Sequence, residues 1–132
     1  MSNRFAAALG ASIVAIGAAA ALPAVANAAP NTVYLYDCSH QRQYEPSSYV
    51  LMCGDGSDSL SHIHWSSWNG QAAVGTATED ARVCVPDCAD GGLARTPVSL
   101  RAWGAQDDGF VYLTISGPNG SRTVNVLEQI GN

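Results

Sequence analysis

Pro97-Val98-Ser99-Leu100-Arg101-Ala102-Trp103 and, one turn later, Phe110-Val111-Tyr112-Leu113-Thr114-Ile115-Ser116 decide the fold class. In the first run Val98, Leu100 and Ala102 alternate with Ser99, Arg101 and Trp103; in the second Val111, Leu113 and Ile115 alternate with Phe110, Tyr112 and Thr114. Successive side chains of a strand point to opposite faces, so each run has one aliphatic face to bury. Reading outward, the same alternation gives strands at Thr32–Asp37, Tyr49–Cys53, His62–Trp68, Gln71–Thr78 and Arg122–Leu127. Turns rich in Gly, Asp and Asn separate them, and Asn69-Gly70 reads as a two-residue type I′ hairpin, which needs positive φ at both positions. No run keeps helical periodicity beyond about two turns. Short strands at this density predict an all-β domain, a small antiparallel sandwich or barrel of about seven strands.

The first 28 residues read as a leader that is removed. Arg4 supplies a positive start, Phe5 to Leu22 carries no charge, Pro23 breaks the helix, and Ala26-Asn27-Ala28 puts small residues at a cleavage site. Half of the apolar run is Ala, which suits a transient export segment better than a retained membrane anchor. No Cys follows the site to take a lipid. Residues 29–132 then form one domain, free of the membrane and outside the cell.

Composition narrows the partners. The chain has six basic residues, all Arg, against eleven Asp and Glu. Phosphate binding needs a basic footprint, so nucleic acid is not an expected partner. A domain of this size has a modest core, which disulfides supplement. Export would put Cys38, Cys53, Cys84 and Cys88 in an oxidising compartment; four Cys allow three pairings, and locality favours Cys38 with Cys53 and Cys84 with Cys88.

The run Tyr49-Val50-Leu51-Met52-Cys53-Gly54-Asp55-Gly56, then Leu60-Ser61-His62-Ile63-His64-Trp65-Ser66-Ser67-Trp68, Gly75, and Cys84-Val85-Pro86-Asp87-Cys88-Ala89-Asp90-Gly91 resembles a group of small secreted actinobacterial proteins. They share a Cys followed by Asp-Gly, an Ile-x-Trp-x-x-Trp and a Cys-x-Pro-x-Cys. The resemblance implies export and paired cysteines and adds no chemistry. A chain without Lys and with an Ala-rich leader fits the same source.

Candidate chemistry is sparse. His62 and His64, two apart on a strand, share a face and are candidate metal ligands, but no spacing supplies a third ligand, so no metal or other cofactor is expected. Gly54-Asp55-Gly56-Ser57-Asp58-Ser59-Leu60 matches one turn of a calcium β-roll, half of such a site. There is no Gly-x-Ser-x-Gly elbow and no unpaired Cys, and the Glu79-Asp80 and Asp107-Asp108 pairs are adjacent residues rather than carboxyls facing across a cleft. No catalytic residue is nominated. Aromatic side chains are the remaining resource: Trp65 beside Ile63 is expected in the core, whereas Trp68 and Trp103 are candidate ligand-binding rings.

The expected function is a monomeric, non-catalytic binding domain for a small apolar molecule, a carbohydrate or a protein. The alternative is a protease inhibitor presenting Val85-Pro86-Asp87 from a braced loop, with a small hydrolase behind it. The leader gives the first test: intact mass of the exported protein should place its N-terminus at Ala29, and a mature protein still carrying Phe5 to Leu22 contradicts the reading.

Overall fold

The computed structural model describes residues 31–131. The expected leader, with its expected cleavage site after Ala28, lies outside the described residues, as do residues 29–30 and Asn132. The elements in order are β1 (Leu35–Tyr36), β2 (Arg42–Gln43), β3 (Tyr49–Val50), β4 (Asp58–Trp68), β5 (Ala72–Arg82), β6 (Leu93–Gln106), β7 (Gly109–Gly117), β8 (Gly120–Asn125) and α1 (Val126–Ile130). Strands β3 to β8 form one antiparallel sheet in sequence order, and β1 and β2 form a separate ribbon. The all-β expectation holds, as a single curled sheet and not as two packed ones.

One face of that sheet is largely apolar across β4 to β7. Leu60 and Ile63 on β4, Ala73 and Ala77 on β5, Val98, Leu100 and Ala102 on β6, and Phe110, Leu113 and Ile115 on β7 are all buried. The chain that precedes β4, including the short edge strand β3, covers them. Val33, Leu35, Tyr49 and Leu51 lie in the same core, and α1 adds Val126. Three side-chain donors tie this strap down: Trp65 Nε1 to the Pro46 carbonyl at 2.9 Å, Trp68 Nε1 to the Val33 carbonyl at 2.8 Å, and the Tyr49 hydroxyl to the Tyr36 carbonyl at 2.6 Å. The Cys38–Cys53 disulfide, 15 residues apart in sequence, closes the strap on itself. A loop of that length is worth about 3 kcal/mol in the chain-entropy account. Cys84–Cys88 forms as well, as locality predicts.

Local departures from the sequence reading have local causes. Asn69 and Gly70 do not take positive φ. Asn69 Oδ1 instead accepts from the backbone N–H of Gln71 and Ala72, an Asx-type turn in place of the type I′ hairpin. Register shifts between Ser61 and His64 and between Trp65 and Ser67 put bulges in β4, with His62 at a φ of 50°. The last strand stops at Asn125 rather than Leu127, because the Asn125 side chain accepts from the N–H of Leu127 and Glu128 and starts a helix. Only two residues each of the Thr32–Asp37 and Tyr49–Cys53 runs pair as strand, while β5 and β6 extend their pairing to Arg82 and Leu93.

Curl is recorded by one ion cluster. Arg122 on β8 donates to Asp58 on β4 and to Glu79 on β5. Strand β8 lies four places from β4, which in a flat sheet is about 19 Å. A guanidinium and a carboxylate cannot bridge that separation, so the sheet bends until its two sides meet at this end. Both carboxylates are largely removed from water, with side chains 15% and 17% exposed. Burial pushes the Asp58 carboxyl up, the Arg122 charge pulls it back, and the neighbouring Glu79 charge pushes it up again, for a net rise above 3.8.

A raised folded pKa means that the folded protein holds this proton more tightly than the unfolded chain does. The contribution to stability is therefore present at acid pH and is lost as pH rises from 3.8 through the raised value. Asp37 and Asp108, whose carboxyls are lowered by hydrogen bonds from the Gln41 N–H and the Tyr36 hydroxyl, act in the opposite direction and only as pH falls through that region. Urea unfolding of Asp58→Asn against the parent should show the difference moving in the variant's favour between about pH 4 and pH 7. A difference that stays constant or moves the other way contradicts the assignment.

Candidate functional site

The outer face of the sheet carries the side chains that the core does not use. The pairing registers place them in rows across the strands. Ala72, Trp103, Tyr112 and Asn125 form one row, Val74, Arg101, Thr114 and Thr123 the next, and Thr76, Ser99, Ser116 and Ser121 a third, with His64 opposite Thr76. Hydroxyls within the rows bond one another: Thr114 to Thr123 at 2.8 Å and Ser116 to Ser121 at 2.9 Å. Successive rows are two residues apart, so Ser99 and Trp103 are separated by about 13 Å along β6.

Trp103 and Tyr112 form the aromatic part of this face. Their ring centroids are 4.6 Å apart with planes tilted by 34°. Trp103 Nε1 donates to the Thr114 hydroxyl at 3.0 Å, and the Arg101 guanidinium sits 5.8 Å from the indole centroid. Tyr112 lies on the backbone of β6 because Gly104, at a φ of 70°, leaves room for it: a Cβ there would stand 2.7 Å from the tyrosine ring. Sequence singled out Trp103, on one strand face with Arg101 and Ser99, whereas Tyr112 counted only as one of five tyrosines and Gly104 gave no signal. Their role depends on the register between β6 and β7.

Trp68 differs from the expectation of an exposed ring. The bulge between Trp65 and Ser67 turns both indoles to the concave face, where their rings meet at 4.8 Å in a T-shaped pair. Trp68 also packs on Phe110 at 5.6 Å and on Tyr44 at 5.2 Å. Gly75 directly opposite Trp65 makes this possible, since a Cβ there would be 3.1 Å from the indole and 2.5 Å from the His64 carbonyl. The two rings thus serve the core, and the outer face is left to Trp103 and Tyr112.

His62 and His64 are both exposed and line one open groove of about 560 Å³ with Thr76, Ser99, Ser116 and Pro118. Both reach this groove although the bulge between Ser61 and His64 removes the regular alternation from which the sequence reading put them on one face. Among the described residues no three His, Cys, Asp or Glu side chains are grouped as a metal-ligand set. In the Gly54–Leu60 loop, Asp55 accepts from the Ser57 N–H and Asp58 belongs to the Arg122 cluster. No described helix is long and apolar enough to cross a membrane. The two disulfides fit an oxidising environment.

No protein-family model, curated protein or solved structure matches the chain.

Proposed function

We propose that the protein is an exported, monomeric, non-catalytic binding domain and that its outer sheet face holds a carbohydrate. The pairing of Trp103 with Tyr112 on the solvent side of the sheet, with Arg101 against the indole, carries this reading. Aromatic rings stack on the apolar faces of sugars, while hydroxyl and guanidinium groups exchange hydrogen bonds with sugar hydroxyls. Thr114 and Thr123 supply such groups in the row beside the rings, and Ser99, Ser116 and Ser121 supply them one row further on. An open groove continuing from them suits a hydrated, extended ligand better than a small apolar one, which needs an enclosed pocket. The resemblance to secreted actinobacterial proteins and the paired cysteines support export.

The inhibitor alternative is less favoured by geometry. Val85 is 77% exposed at the tip of its loop, but the Cα atoms of Cys84 and Cys88 are 3.8 Å apart. A loop closed so tightly is a compact turn, whereas a protease cleft receives an extended segment.

Titration with a panel of soluble glucan and chitin oligosaccharides, followed by tryptophan fluorescence, tests the reading. Trp103→Ala should abolish the response with the fold intact, whereas Trp68→Ala should cost about 3 kcal/mol or more of stability. Saccharide binding that survives Trp103→Ala, or no binding across the panel, overturns it.

A further inference from the structure

The end of the β5–β6 hairpin holds a feature that saccharide binding does not use. Cys84 and Cys88 are both exposed, whereas Cys38 and Cys53 are half-buried within the strap. A recess of about 400 Å³ opens against the exposed bridge, lined also by Met52, Asp55, Asp58 and Arg82. We infer that Cys84–Cys88 is a reversible thiol–disulfide exchange site whose partner is an uncharged dithiol.

Reversibility requires the two thiols to stay together when the bond is open, and the loop has a frame of its own that holds them. The Val83 N–H donates to the Gly92 carbonyl at 3.0 Å and the Gly91 N–H to the Asp87 carbonyl at 2.9 Å. Asp87 Oδ1 accepts from the N–H of Ala89 and of Asp90. Strand pairing continues to Arg82 opposite Leu93. Gly91 lies so close to the Val83 carbonyl that a Cβ would fall 1.7 Å from its oxygen, so this approach needs glycine. None of these contacts passes through the sulfurs.

The recess also sets the chemistry of the partner. An incoming thiolate attacks one sulfur, the bond between the cysteines breaks, and the other cysteine leaves as a thiolate that takes up a proton. The second thiol of the partner then displaces the first cysteine from the mixed disulfide. The partner ends as its own disulfide, two electrons having reduced Cys84 and Cys88 to thiols. Arg82 is the cation at the recess and favours the departing thiolate. Asp55 and Asp58 in the recess, and Asp87 and Asp90 in the loop, repel an anionic thiol.

The test uses the whole disulfide-bonded protein under native conditions, with dithiothreitol as the neutral probe and mercaptoethanesulfonate as the anionic one. Alkylation and peptide mapping follow each bridge while circular dichroism follows the fold. Cys84 and Cys88 should become alkylated about tenfold or more faster than Cys38 and Cys53 with the sheet intact, and oxidised dithiothreitol should restore the bridge. At equal thiolate concentration the anionic probe should be slower in low salt and should gain on the neutral one as salt is added. Arg82→Gln should slow the opening. Both bridges opening together, opening only as the sheet unfolds, an anionic probe as fast as the neutral one in low salt, or an unchanged rate in Arg82→Gln would each overturn the inference.

Discussion

A six-stranded antiparallel sheet with one largely apolar face has to hide that face, and the described residues offer only a two-stranded ribbon, irregular chain and a short helix to do so. The solution is curvature. Arg122 reaches across the concave end to Asp58 and Glu79, which only a strongly bent sheet permits. Bending narrows the area to be covered until a strap of some twenty residues and a five-residue helix suffice. The cluster has a cost as well as a gain: two carboxylates leave water for one guanidinium, and Asp58 Oδ1 is buried without a hydrogen-bond partner.

The curl also divides the aromatic residues. Inside, Trp65, Trp68 and Phe110 fill the hollow, and the two indole N–H groups hold the strap by its backbone carbonyls. A strap of irregular chain has peptide groups that no ladder satisfies, so each such donor does two things at once: it pairs a half-buried indole and fixes the covering segment. Outside, Trp103 and Tyr112 are free of that task. The binding reading rests on this division.

The strands with the plainest alternation, Pro97 to Trp103 and Phe110 to Ser116, were legible because period-two patterning is a local property. The disulfides were legible for the same reason, each joining neighbours in sequence. What depends on register was not. The bulge that turns Trp68 inward adds one residue to β4, and neither the Ser66-Ser67 sequence nor its hydrophobicity marks the place. Tyr112 meets Trp103 only once β6 and β7 are aligned. Arg122, Asp58 and Glu79 lie 64 and 43 residues apart, and single charges at such separations carry no mark of their pairing. The strap was read partly as strand because its apolar residues alternate, yet only short stretches of it pair as ladder, and the carbonyls of Val33, Tyr36 and Pro46 accept from side chains.

Equilibrium unfolding of Arg122→Met, alone and combined with Asp58→Asn and Glu79→Gln, tests the role of the cluster most directly. The account predicts that the single variant loses about 2 kcal/mol, a buried-pair cost reduced because the Arg122 side chain is 43% exposed. The triple variant should recover most of that loss, since no carboxylate is then left buried without a partner. A single variant as stable as the parent, or a triple variant no better than the single one, would contradict the claim that the curled sheet buries the two carboxylates and makes them depend on Arg122 as their partner.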